Sequence, residues 1–212
     1  MTHFKVVNAS VPSCVAALSS HIGFRCGLED APCRGVSLAA LRTKVSLDVH
    51  DMAVRTILDQ LVARNPAFTW NIEKSGLVHL APAGARKDRS YRPNWRLPGY
   101  PAEKGNQIEA TSVIYFALNT GLPRFTNRFV WTEPMLTDEL GNPLLFTFSS
   151  QSSPIYRALD ALSAQVKGSW YVQWDGANEI FEVSLTDERG FNTTLPEAIV
   201  EYAGPDHRGM GL

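Results

Sequence analysis

Val45, Leu47 and Val49 alternate with Ser46 and Asp48, the period of a strand with one buried face. The apolar positions that follow, Val54, Ile57, Leu58, Leu61 and Val62, fall at i, i+3, i+4, i+7 and i+8 and mark one face of a helix. Asp51 is the expected N-cap, and Asn65-Pro66 the stop. Phe68, Trp70 and Ile72 alternate again, Ser75-Gly76 turns, and "LVHLA" returns, which predicts a hairpin. Upstream, "FKVVNA" predicts a short strand. Ser10 caps a helix with Pro12 in its first turn, a stripe of Val11, Cys14, Val15, Leu18 and Ile22 follows, and Gly23 closes it. "FRCGLE" predicts a strand that leads into a loop through Gly35.

The order is written a second time. "ATSVIYFALNTGL" parallels "NASVPSCVAALSSHIG", "RFVWTE" parallels "FRCGLE", and Leu144, Phe146 and Phe148 stand where Val45, Leu47 and Val49 stood. Pro154, after Ser152-Ser153, opens a helix whose face is Ile155, Ala158, Leu159, Leu162 and Val166. Trp170, Val172 and Trp174 replay Phe68, Trp70 and Ile72, Asp175-Gly176 turns, and "IFEVSL" replays "LVHLA". Helices with one apolar face need a sheet to cover. The expected fold is therefore α+β, with two tandem copies of a β-α-β-β-α-β-β unit whose helices pack on small mixed sheets. The units are placed at 1–82 and 107–185, joined by a basic Pro/Gly linker at 83–106 and followed by a partly disordered tail at 186–212. The second copy carries an insert, "FVWTEPMLTDELGNP", ahead of its central strand.

The chain has 212 residues and a formal net charge of −1, so it offers no broad basic field for nucleic acid. The loop of a KH domain, G-x-x-G flanked by basic residues, does not occur. No apolar run reaches the roughly 18 residues that a membrane helix needs. "MTHFKVVNAS" has neither a basic n-region nor a long apolar h-region, which leaves a cytosolic chain or the mature part of an exported one. Of the three cysteines, Cys14 reads as a small core residue, while Cys26 and Cys33 flank "GLEDAP" and are candidates for a disulfide in an oxidising compartment.

The candidate chemistry is thin. His3, His21, His50, His79 and His207 lie in different elements, and none has a second ligand at a zinc-site spacing, so neither metal nor cofactor is expected. His79 alternates out of its strand and is expected on the surface. Asp59 and Asp160 occupy matching helix positions and are expected on the solvent side. Asp138 and Glu139 sit in a turn-like loop with Gly141-Asn142. Phosphate loops, nucleophile elbows and dinucleotide fingerprints do not occur, and no catalytic residue is nominated. An enzyme would require groups to converge, for example Asp138, Glu139 and His50 in one cleft. The aromatics Trp70, Phe129, Trp131, Trp170, Tyr171 and Trp174 crowd the strands. In "SWYVQW", Trp170, Val172 and Trp174 share one face, which leaves Tyr171 and Gln173 on the other as outward-facing candidates for binding. In the linker, Arg86, Lys87, Arg89, Arg92 and Arg96 suit an acidic partner, although a solvated connector is the plainer reading.

"VAALSSHIGFRCGLE" followed by "KVSLDVHDMAVRTILDQLVARNPAFTWNIEKSGLVHLAP" resembles the short N-terminal domain of bacterial secretins and TonB-dependent receptors. The likeness covers most of residues 4–82 and, more loosely, 107–185. It implies a periplasmic or otherwise exported docking or signalling module that binds other proteins. Together with the missing catalytic motifs, this gives the expected function: a non-catalytic adaptor of the bacterial envelope whose partner is another envelope protein, docked through sheet edges. Tyr171, Gln173, Arg89 and Arg92 are the candidate binding residues. The alternative is a glycan or small-ligand module that uses the strand aromatics.

Overall fold

The alternating run at Val45 forms strand β3 (Val45–His50), whose residues are buried and exposed in strict turn. In the computed structural model, residues 3–97, 100–125, 135–150, 153–187 and 191 are described, with backbone only at 100–103, 149 and 150. The first half runs β1 (His3–Ala9), α1 (Val11–Ile22), β2 (Cys26–Asp30), a short α2 (Leu38–Leu41), β3, α3 (Val54–Arg64), β4 (Phe68–Ile72) and β5 (Val78–Pro82). The second half runs β6 (Tyr100–Gly105), α4 (Gln107–Asn119), β7 (Phe146–Ser150), α5 (Ile155–Gln165), β8 (Trp170–Asp175) and β9 (Ile180–Leu185). The fold is α+β, with helices packed on mixed sheets. The expected parallel of "RFVWTE", together with Phe129, Trp131, Ser152 and the tail beyond Phe191, lies outside the described residues.

The local signals explain most element ends. The Ser10 hydroxyl accepts from the Ser13 amide at 3.2 Å, and Gly23, at φ 84°, ends α1 in the left-handed region. Asn106 and Glu109 form a reciprocal capping box at the start of α4. Two starts differ from expectation. Ala53, not Asp51, precedes α3, because Asp51 takes φ 50° in the turn out of β3. Pro154 stands just ahead of α5 rather than in its first turn.

Each half makes two antiparallel pairs of the same kind. β1 lies antiparallel to β3 and β6 to β7; β4 lies antiparallel to β5 and β8 to β9. The two hairpins do not belong to separate sheets. β2 pairs in parallel with β5 on one side and with β8 on the other, so a single five-stranded sheet runs β4-β5-β2-β8-β9 through both halves.

That sheet is a wall between two cores. Cys26, Leu28, Val78, Leu80 and Tyr171 face the first core, formed with α1, α3, β1 and β3. Ala81, Trp170 and Val172 face the second, formed with α4, α5 and Phe146. Leu58 and Leu61 of α3, and Leu159 and Leu162 of α5, are buried in their respective cores. Leu58→Ala and Leu159→Ala should each cost about 2–5 kcal/mol, as large-to-small changes in a packed core do. Urea melts check this, and a loss below about 1 kcal/mol at either position would place that helix face outside the core.

The stretch expected to be a solvated linker is folded. Ala85, Tyr91 and Leu97 are buried in the second core, 3-10 turns form at Ala85–Lys87 and Arg92–Asn94, and β6 begins at Tyr100. Its charges and prolines obscure four apolar anchors, because Pro93 is buried as well.

Candidate functional site

A dense polar arrangement lies where α5 of the second half meets the sheet of the first. β5 is an inner strand, buried at all five positions. His79 is therefore 1% exposed, contrary to the surface position expected from alternation. "LVHLA" was the available signal, since a short continuous apolar run fits a strand covered on both faces.

Glu29 on β2 is 0% exposed and takes both terminal nitrogens of Arg86, which arrives from the 3-10 turn after β5. The Arg86 guanidinium also donates to His79 Nδ1 at 3.1 Å and lies over the Tyr156 ring at 3.9 Å. Arginine is a donor only, so Nδ1 must accept and the imidazole proton sits on Nε2. Nε2 donates to Asp160 Oδ1 at 2.8 Å, and Trp170 Nε1 donates to the same oxygen at 3.0 Å. Arg157 adds a 3.4 Å contact to Asp160 and reaches Glu73 at 2.9 Å. Asp160 thus points inward, contrary to the solvent-side position expected for it.

An Asp–His pair at this distance has the form of an acid–base dyad. Here both imidazole nitrogens are already hydrogen-bonded within the protein and the ring is closed off from solvent. What the network does is lock the two halves together: Glu29, His79 and Arg86 belong to the first half and its exit, Asp160, Tyr156 and Trp170 to the second.

The matching carboxylate shows the same device in the open. Asp59, which is exposed as expected, accepts from Trp70 Nε1 at 3.0 Å, as Asp160 does from Trp170. Trp170 and Trp70 thus make like bonds, whereas the alternation matched Trp170 to Phe68, two residues earlier. "LDQLVARNPAFTW" and "LDALSAQVKGSW" carry this pairing in the sequence.

The four candidate binding residues do not converge. Tyr171 is 8% exposed, and its hydroxyl meets Asp30 at 3.2 Å; it faces the first core rather than solvent, because that core covers this face of the sheet. Burial and the Asp30 charge push its phenol well above the usual range. Gln173 is half-buried and bonds Glu182 on β9. Arg92 donates to the carbonyls of Leu118 and Thr120 at 2.7 and 2.9 Å, tying down the end of α4, and stacks over Trp95 at 4.5 Å. Burial pushes its guanidinium down from the usual value. Arg89 alone is exposed; it lines an open cleft of about 520 Å³ with Arg86, Asp88, Asn94, Trp95 and Arg96. Asp88 is held below the usual carboxylate range by hydrogen bonds from Ser90 and Arg34.

The cysteines are free thiols, so Cys26 and Cys33 do not form the disulfide considered for them. Desolvation pushes Cys14 up to about 12 and Cys26 up to about 11, which leaves both protonated and inert. Asp138 is held below the usual range by its own loop, first by the Asn142 side-chain amide and then by the Asn142 and Leu140 backbone amides; His50 lies instead beside His3 and Asp48.

No helix among the described residues is long and apolar enough to cross a membrane. Comparison with protein-family models, curated proteins and solved structures finds no match.

Proposed function

We propose that the chain is a non-catalytic adaptor of the bacterial envelope, periplasmic or exported, built from two related units, which binds an extended strand of another protein at a sheet edge. The observation that carries this reading is the junction within the molecule: β8 of one half adds in parallel to β2 of the other, which is docking by strand addition. β4 ends the same sheet with no partner strand on its outer side among the described residues. Ala83 N–H to Ala67 O at 2.7 Å and Glu73 N–H to Leu77 O at 2.9 Å bracket the β4–β5 pair. The odd-numbered residues therefore bond β5, and the amides of Trp70 and Ile72 point to the open edge. Strand aromatics as a glycan platform have less support, because Trp170 and Tyr171 are core.

Ile72→Pro removes one outward amide and leaves the β5 ladder in place. A partner captured from periplasmic extract by the wild-type chain should bind this variant at least tenfold more weakly, with the circular dichroism unchanged. Unaltered affinity for that partner would rule out β4 as the docking edge.

A further inference from the structure

The β1–β3 pair brings together three metal-ligating side chains that lie far apart in sequence. His3 is the register partner of His50, and Asp48 lies two residues before His50 on the same, exposed face. His3 Nε2 is 2.6 Å from Asp48 Oδ1, and His50 Nε2 is 3.6 Å from that oxygen. The three ligand atoms all lie within 4.8 Å of one another. The imidazoles stack at a 4.0 Å centroid distance and 11° between planes, with both Nε2 atoms beside the same Asp48 oxygen. Sequence spacing hides this group, because the register of two strands creates it.

We propose that His3, Asp48 and His50 form a binding site for a divalent transition-metal ion of the zinc class. Two imidazoles and one carboxylate are ligands for such an ion, which bonds nitrogen and carboxylate oxygen at about 2.0–2.2 Å. Ligand atoms around a tetrahedral ion are then on the order of 3.4 Å apart, within the range that these three span. The two rings must tilt out of their stack to aim both nitrogens at one ion, which side chains on this face have room to do, and a fourth position stays open to water. The competing cation is Lys5, whose Nζ lies 3.8 Å from Asp48 Oδ2 and whose side chain is exposed enough to swing away.

The ligands come from two strands, so the ion would join β1 to β3 across the ribbon that covers the first core. Binding to the folded state alone raises stability with ion concentration. The experiment is a calorimetric titration of untagged protein with zinc chloride, with thermal melts in parallel. One ion should bind per chain and raise Tm. His50→Ala and Asp48→Asn should each weaken binding at least tenfold and abolish the Tm rise, His21→Ala should leave both unchanged, and Lys5→Ala should strengthen binding severalfold. The three ligands are on an exposed face, so the variants should fold, and circular dichroism checks that they do. Absence of stoichiometric binding, or binding that survives His50→Ala, would overturn the site. Nickel(II) gives an independent readout: its ligand-field absorption should appear with the wild type and be absent with His50→Ala.

Discussion

Arg86→Ala is expected to lower stability by about 3 kcal/mol or more, because it leaves Glu29 as a buried charge with no counter-ion. Glu29 is 0% exposed, and both its oxygens are spent on the Arg86 guanidinium. The same change takes away the donor to His79 Nδ1 and the cation over Tyr156. The Arg86 side chain is 34% exposed, so water can enter beside it and hold the loss to the lower end of the range for broken buried pairs. The double variant Glu29→Gln/Arg86→Met should recover most of the loss, because it removes both desolvation costs and fills similar volume. Urea melts of Glu29→Gln, Arg86→Met and the double variant form the cycle that isolates the pair. If Arg86→Ala costs less than about 1 kcal/mol, Glu29 is solvated in solution and the clasp between the halves is not formed there.

What the sequence made readable follows from what each element touches. β3, with its strict alternation, borders solvent on one face only, and its period showed it. The stripes of α1 and α3 likewise gave their buried faces, and Ser10 and Gly23 gave the ends of α1. Alternation was misleading wherever a strand has no wet face. In β5 and β8 the period still sorted the side chains correctly, with Trp170 and Val172 on one side and Tyr171 on the other, but both sides are core. His79 and Tyr171 were placed outward for this reason; Asp160 was placed outward from its helix position, and turns inward because α5 lies against His79 and Trp170 of the sheet. A one-face assumption fits a small sheet with helices on one side; it fails here because the sheet joined by the β2–β8 pairing is covered by α1 and α3 on one face and by α4 and α5 on the other. Nothing local in the sequence announces that pairing, because it is a contact between residues more than a hundred positions apart. The His3–Asp48–His50 group was missed for a related reason, since it requires the β1–β3 register.

The join between the halves also sets the second large effect. Trp170 is wholly buried, and Gly27 is its register partner on β2. A Cβ at Gly27 would come within 2.5 Å of the Trp170 indole, so the glycine is what lets the ring lie flat against the neighbouring strand. Trp170→Ala should cost about 3–5 kcal/mol, from the lost burial, the cavity left in the second core, and the loss of the indole hydrogen bond to Asp160. The counterpart change, Trp70→Ala, removes a half-buried ring and a bond to an exposed carboxylate, so its cost should be clearly smaller. Gly27→Ala alone should cost about 1–3 kcal/mol by overpacking. In the Trp170→Ala background the added methyl group meets empty space, so its cost should vanish or change sign. A double-mutant cycle by urea melts reads this coupling directly. If the two effects simply add, Gly27 and Trp170 do not touch in solution, and the continuous sheet that joins the two halves is refuted with them.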